Sequence, residues 1–174
     1  MPEASPDATI IIATSWQALG RAETGDERTM ISNCTVIIVF AAFYIEANIN
    51  HIIESMGKRY EMMEYYGYRP GLKDKLAWFY VKFCAEDKMI TKNEIYMELI
   101  HKFPGFDEIY SFRNSVSHGV IERGLANLED AKRLRSNAKV IVDDLFLIAK
   151  QAGYEIPRGI TYEAAISSED ITAN

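Results

Sequence analysis

The sequence predicts an all-α protein, a single-domain bundle of five or six helices, on three observations. Apolar residues recur at three- and four-residue spacing through most of the 174 residues. No segment alternates with period two in the manner of a strand. Capping residues, prolines and glycines divide the chain at intervals that suit helices. A chain of this length buries roughly 70% of the surface its unfolded form exposes, so one core forms without disulfide or metal staples.

The elements follow in order. Residues 8–21 (ATIIIATSWQALGR) read as a short first helix or an ordering arm, broken by Gly20, Gly25 and Asp26. Residues 28–56 are apolar and rich in β-branched side chains but too long for a strand, so they read as a helix stopped at Gly57. Residues 58–66 (KRYEMMEYY) continue as a polar, tyrosine-rich turn or short helix, ended by Gly67 and Arg69-Pro70-Gly71. Over residues 72–86, Leu72, Leu76, Phe79, Tyr80 and Phe83 form one apolar face, with Lys73, Asp74, Lys75 and Lys82 assigned to the others. Thr91 and Glu94 have the spacing of a capping box and open a helix over 92–102, which Pro104-Gly105 stops. Residues 106–118 form the next helix, closed by Gly119. Asn127 caps the last, 128–151, whose Leu134, Ala138, Ile141, Val142, Leu145 and Ile148 make a continuous stripe. The organisation expected is an arm or short helix over 1–27, a helical domain over 28–152 and a polar, acidic, loosely attached tail over 153–174.

Composition narrows the function classes. The chain is 48% apolar and 25% charged, as ordinary globular proteins are. A net charge of −6 argues against a surface-wide nucleic-acid binder and leaves room only for a local basic groove. Cys34 and Cys84 lack metal-ligand spacing and read as free thiols of a reducing compartment. The N-terminus carries acids where a secretory leader carries positive charge, so a cytoplasmic protein is expected. The uncharged stretch 29–45 is followed closely by Glu46, Asn48, Asn50 and His51, which favours a buried core helix over a membrane span.

The segment that carries chemistry lies in the helix over 106–118. At 100° per residue its apolar side comprises Phe106, Ile109, Tyr110, Phe112 and Val116. Arg113 falls inside that arc, while Asp107, Ser111, Asn114 and His118 run along an adjoining polar edge. A guanidinium among apolar side chains requires a carboxylate, a subunit interface or a ligand phosphate. One solution is structural: Glu46, in the middle of the apolar helix 28–56, is the acid available, and Asn50 one turn later can join it. His118 likewise has a structural reading as an imidazole facing free carbonyls at a helix end.

The string Phe112-Arg113-Asn114-Ser115-Val116-Ser117-His118-Gly119 resembles the signature of the HEPN superfamily (higher eukaryotes and prokaryotes nucleotide-binding): an arginine, a polar residue, and a histidine a few positions on. Residues 41–54 (AAFYIEANINHIIE) and 71–79 (GLKDKLAWF) also look like that family's earlier core helices, and the resemblance covers approximately residues 30–152. It implies a HEPN-like bundle, a twofold homodimer whose motif helices meet at an RNA-holding cleft, and metal-independent endoribonuclease activity giving a cyclic phosphate and a 5′-hydroxyl end. No cofactor and no metal are expected. Arg113 would stabilise charge on the phosphoryl oxygens, His118 would move a proton, and Asn114 would orient one of them, with Glu46 and Asn50 in support. The family also implies a toxin or defence role, with a nucleotidyltransferase-type antitoxin as partner in bacterial members. Some members do not cut RNA and serve as interaction or regulatory modules.

For an acidic chain to hold RNA, basic residues must converge locally, and Lys58, Arg59, Arg69, Lys73, Lys75, Arg123 and Arg133 are the candidates. The tyrosines of 58–70 either stack on bases or pack at a core or dimer edge. His51 and His101 have no spaced companions and read as ordinary surface or core histidines; Ser115 and Ser117 read as helix-end residues.

Overall fold

The structure is a computed structural model that describes residues 6–67, 69–85, 91–118 and 127–157. Seven helices and no strand occur among them: α1 (Pro6–Thr24), α2 (Glu27–Ser55), α3 (Arg59–Tyr66), α4 (Leu72–Phe83), α5 (Lys92–Lys102), α6 (Phe106–Ser117) and α7 (Leu128–Gln151). The all-helical expectation therefore holds, with more helices than expected, because the two segments that sequence left open are both helical. In α1 the buried Ala18, Leu19 and Ala22 supply the reason, since they seat it in the core beside α2. The eight-residue α3 is too short to persist alone. It buries Met62, and Glu61 is gripped by both Lys58 (3.0 Å) and Lys82 of α4.

Helix α2 is the axis of the bundle, packing against α1, α4, α6 and α7. It is long and apolar enough by length and composition to cross a membrane. Cys34, Ile37, Ile38, Ala41, Ala42, Ile45, Ile49, Ile52 and Ile53 are nevertheless buried in the bundle, which is the core-helix pattern expected of it. Asp26 starts α2 by accepting the Thr29 amide (2.8 Å). Thr91 and Glu94 form the expected reciprocal cap on α5, with Thr91 N–H to Glu94 Oε2 at 2.7 Å and Glu94 N–H to Thr91 Oγ1 at 3.3 Å. Asn127 caps α7 through the Asp130 amide at 2.8 Å.

Two boundaries differ. Helix α4 ends at Phe83 rather than 86, because the amides of Cys84 and Ala85 both donate to the Tyr80 carbonyl (2.7 and 3.0 Å) and close the last turn early. At the other end of the chain, residues 154–157 lie against the bundle. Tyr154 and Ile156 pack on the core, and His51 Nε2 donates to the Pro157 carbonyl at 3.0 Å. The remainder of the tail, together with Gly119 and Arg123, lies outside the described residues. Cys34 and Cys84 are both free, as expected.

Candidate functional site

Helix α6 is positioned by its buried Phe106, Ile109 and Phe112, with Tyr110 and Val116 packed at the core edge, which is the apolar arc expected of it. A tight turn sets its start. Gly105 has φ +76°, and a Cβ there would come within 2.3 Å of Asn137 Nδ2 on α7, so glycine lets the α5–α6 turn sit directly on α7. Beside it, Arg133 of α7 grips Glu108 of α6 with two hydrogen bonds (2.8 and 2.7 Å) and also holds Asp130 (2.9 Å). Hydrogen bonding to Arg133 holds both the Glu108 and the Asp130 carboxyls below their usual values. Arg133 is thus a tie between helices, not part of a basic groove.

With α6 fixed this way, Arg113 projects toward Glu46 of α2, and its guanidinium lies 3.6 Å from Glu46 Oε2. That is within ion-pair range but long for a hydrogen bond. The stronger claim on Glu46 comes from Lys75 of α4, whose Nζ donates to Glu46 Oε1 at 2.7 Å. Two cations share one carboxylate, so the cluster keeps a net positive charge. Lys75 is buried (9% exposed) and Arg113 retains 30% of its side-chain surface. The cation without a water-facing alternative holds the acid, and the more exposed guanidinium is left loosely engaged. Arg113 also reaches Asn114 Oδ1 at a long 3.4 Å.

His118 is exposed and forms the C-cap of α6, its backbone amide donating to the Asn114 carbonyl at 3.0 Å. His118 therefore lies one turn beyond Asn114 along the backbone. Ser115 and Ser117 donate their hydroxyls to the carbonyls of Ser111 (3.0 Å) and Arg113 (2.9 Å), which makes them helix-end residues rather than activated nucleophiles.

Glu46, Arg113 and Asn114 thus come together, and His118 sits at the end of the same helix. Asn50 does not join the ion pair. It lines a neighbouring cleft with Arg59, Arg69 and Lys75. Lys75 is the member that sequence reasoning missed, having assigned it to a polar face. The signal was available, because at 100° per residue Lys75 falls about 60° from Leu72 on the side toward Trp78, and Leu72, Trp78 and Phe79 are all buried. Of the other basic candidates, Lys58 pairs with Glu61, and Lys73 sits 3.4 Å over the Tyr96 ring. Among the described residues no three His, Cys, Asp or Glu side chains converge in a way that could hold a metal ion.

Compared with known proteins, the chain matches no family model, no curated protein and no solved structure at a significant level.

Proposed function

We propose that the chain is a HEPN-type endoribonuclease, acting in the cytoplasm as a homodimer with a HEPN-like fold, and that Arg113 and His118 carry a metal-independent cleavage of RNA. The observation that carries this reading is the unequal sharing of Glu46. Lys75 takes the carboxylate at 2.7 Å, and Arg113 stays at 3.6 Å and part-exposed, on the helix whose C-cap is the exposed His118. A guanidinium that is held in place but not saturated suits a phosphoryl oxygen, to which it donates two parallel hydrogen bonds.

In the proposed reaction the 2′-oxygen attacks the adjacent phosphorus and the bond from phosphorus to the 5′-oxygen breaks. With two copies of His118 in a dimer, one imidazole takes the 2′-hydroxyl proton and the other, protonated, gives one to the leaving 5′-oxygen. Arg113 stabilises the charge that builds on the non-bridging oxygens, and Asn114 orients the guanidinium. In a bacterial setting such an enzyme would act as a toxin or defence effector, with a nucleotidyltransferase-type antitoxin as its restraint.

The test is incubation of the purified protein with structured RNAs in EDTA, beside Arg113→Ala and His118→Ala. Cutting by the parent and its loss in both folded variants is the expected result. No cutting by the parent across diverse RNAs contradicts the reading and favours a non-catalytic interaction module.

A further inference from the structure

Next to the Glu46 cluster, the C-terminal half of α2, helix α3 and the start of α4 enclose a cleft of about 250 Å³. Its apolar lining is Ile53, Met62, Met63 and Pro70, and its polar lining includes Asn50, Arg59, Arg69 and Lys75. This is the composition of a small-ligand site, an apolar floor with a few converging polar groups. The polar groups are of two kinds. Arg59 and Arg69 suit a phosphate, and Asn50 carries a donor and an acceptor on one side chain, which suits the edge of a base. The methionines are polarisable and adaptable, and they accept a flat ring.

The cleft adjoins the Arg113 site through one shared residue. Lys75 lines the cleft and also donates to Glu46, whose other oxygen faces Arg113. The one acid of the lining is Glu54, which pairs with Arg59 at 3.0 Å. Both side chains of that pair are more than half exposed, so the pair is worth little and the guanidinium can exchange the carboxylate for a phosphate.

We propose that this cleft binds one nucleotide, its phosphate held by Arg59 and Arg69 and its base lying against Met62 and Met63 with Asn50 at the edge. The ligand is a nucleotide phosphate, and in the nuclease reading on which this rests it belongs to the RNA strand next to the phosphate at Arg113. On α3, Tyr60 and Tyr65 are 79% and 68% exposed. Tyr65 lies against the ring of Tyr66 (centroids 5.1 Å apart), which packs on the core, and the exposed Tyr60 ring is the one placed to stack on a further base.

The experiment measures fluorescence anisotropy of a short labelled 2′-O-methyl RNA, which cannot be cut by 2′-oxygen attack, with free AMP as competitor. The proteins are the full chain, an Arg59→Ala/Arg69→Ala double variant and His118→Ala, each checked for an unchanged thermal melt. The double variant should weaken RNA binding by about tenfold or more and flatten the slope of log Kd against log salt by about 0.7, the loss of one phosphate contact to a single strand. His118→Ala should still bind. Competition by AMP that the double variant abolishes identifies a free nucleotide as sufficient; binding of RNA without competition by AMP identifies the strand as the ligand. The proposal is overturned if the double variant binds like the parent, or if the parent binds neither RNA nor AMP. A parent that binds through the cleft yet cuts no RNA sinks the nuclease reading alone. A parent that cuts RNA while the double variant binds normally sinks the cleft alone.

Discussion

At Glu46 two cations compete for one carboxylate, and the outcome is decided by burial. Lys75 has little access to water and holds the acid by a hydrogen bond, while Arg113 keeps part of its side chain at the surface. This makes Lys75 a positioning residue: it keeps Glu46 from saturating Arg113. Replacing it by a side chain of similar length without charge should let Glu46 capture Arg113 and cancel the net positive charge of the cluster. Lys75→Met is therefore expected to lower RNA cleavage about tenfold or more while the melt stays close to the parent's, because an apolar chain replaces a buried ion. A Lys75→Met protein that cuts at the parental rate would remove Lys75 from the account. The sequence exposed Arg113, Glu46 and Asn114 because a charge inside an apolar stripe is conspicuous. It hid Lys75, although that residue falls between buried Phe79 and Trp78 on its helix, because a lysine among charged neighbours is read by default as a solvated side chain.

At the scale of elements, the helices themselves were legible because each repeats its apolar residues at helical spacing and carries local start and stop signals, as in Thr91-x-x-Glu94 and Asn127. What depended on tertiary contact was not. The helical state of α3 relies on burial of Met62 and on the Glu61–Lys82 ion pair to α4, and the early end of α4 on a local closure at Tyr80. The attachment of α6 to α7 is likewise tertiary, and it is testable at two points. Gly105→Ala forces a side chain into a positive-φ turn and against Asn137, so it should destabilise the protein by about 1–2 kcal/mol in urea unfolding. The Arg133 tie has a pH signature. Glu108 and Asp130 titrate lower in the folded protein than unfolded, so their contribution is present above the ordinary carboxylate values of 4.5 and 3.8 and is lost as pH falls through the lowered folded values. Arg133→Ala should flatten the acid limb of a melting-temperature profile and leave the neutral region little changed, since exposed pairs contribute little there. An acid limb identical to the parent's would contradict this assignment.

For the whole molecule, one chain presents one Arg113 and one His118, whereas the proposed proton transfers need two imidazoles about one phosphate. Sedimentation equilibrium is expected to give a species of twice the 19.8 kDa chain mass at micromolar concentration; a monomer that cuts RNA would require a different second proton carrier. The acidic net charge is reconciled with an RNA substrate by local placement, since Arg113 and Lys75 outnumber Glu46 at the site and Arg59 and Arg69 line the adjoining cleft. The chemistry of the RNA ends produced in EDTA is the most direct measurement of metal-independent cleavage by Arg113 and His118. The expected result is 2′,3′-cyclic phosphate and 5′-hydroxyl ends from the parent and none from His118→Ala. Fragments carrying 3′-hydroxyl and 5′-phosphate ends, or cutting that persists in His118→Ala, would contradict it.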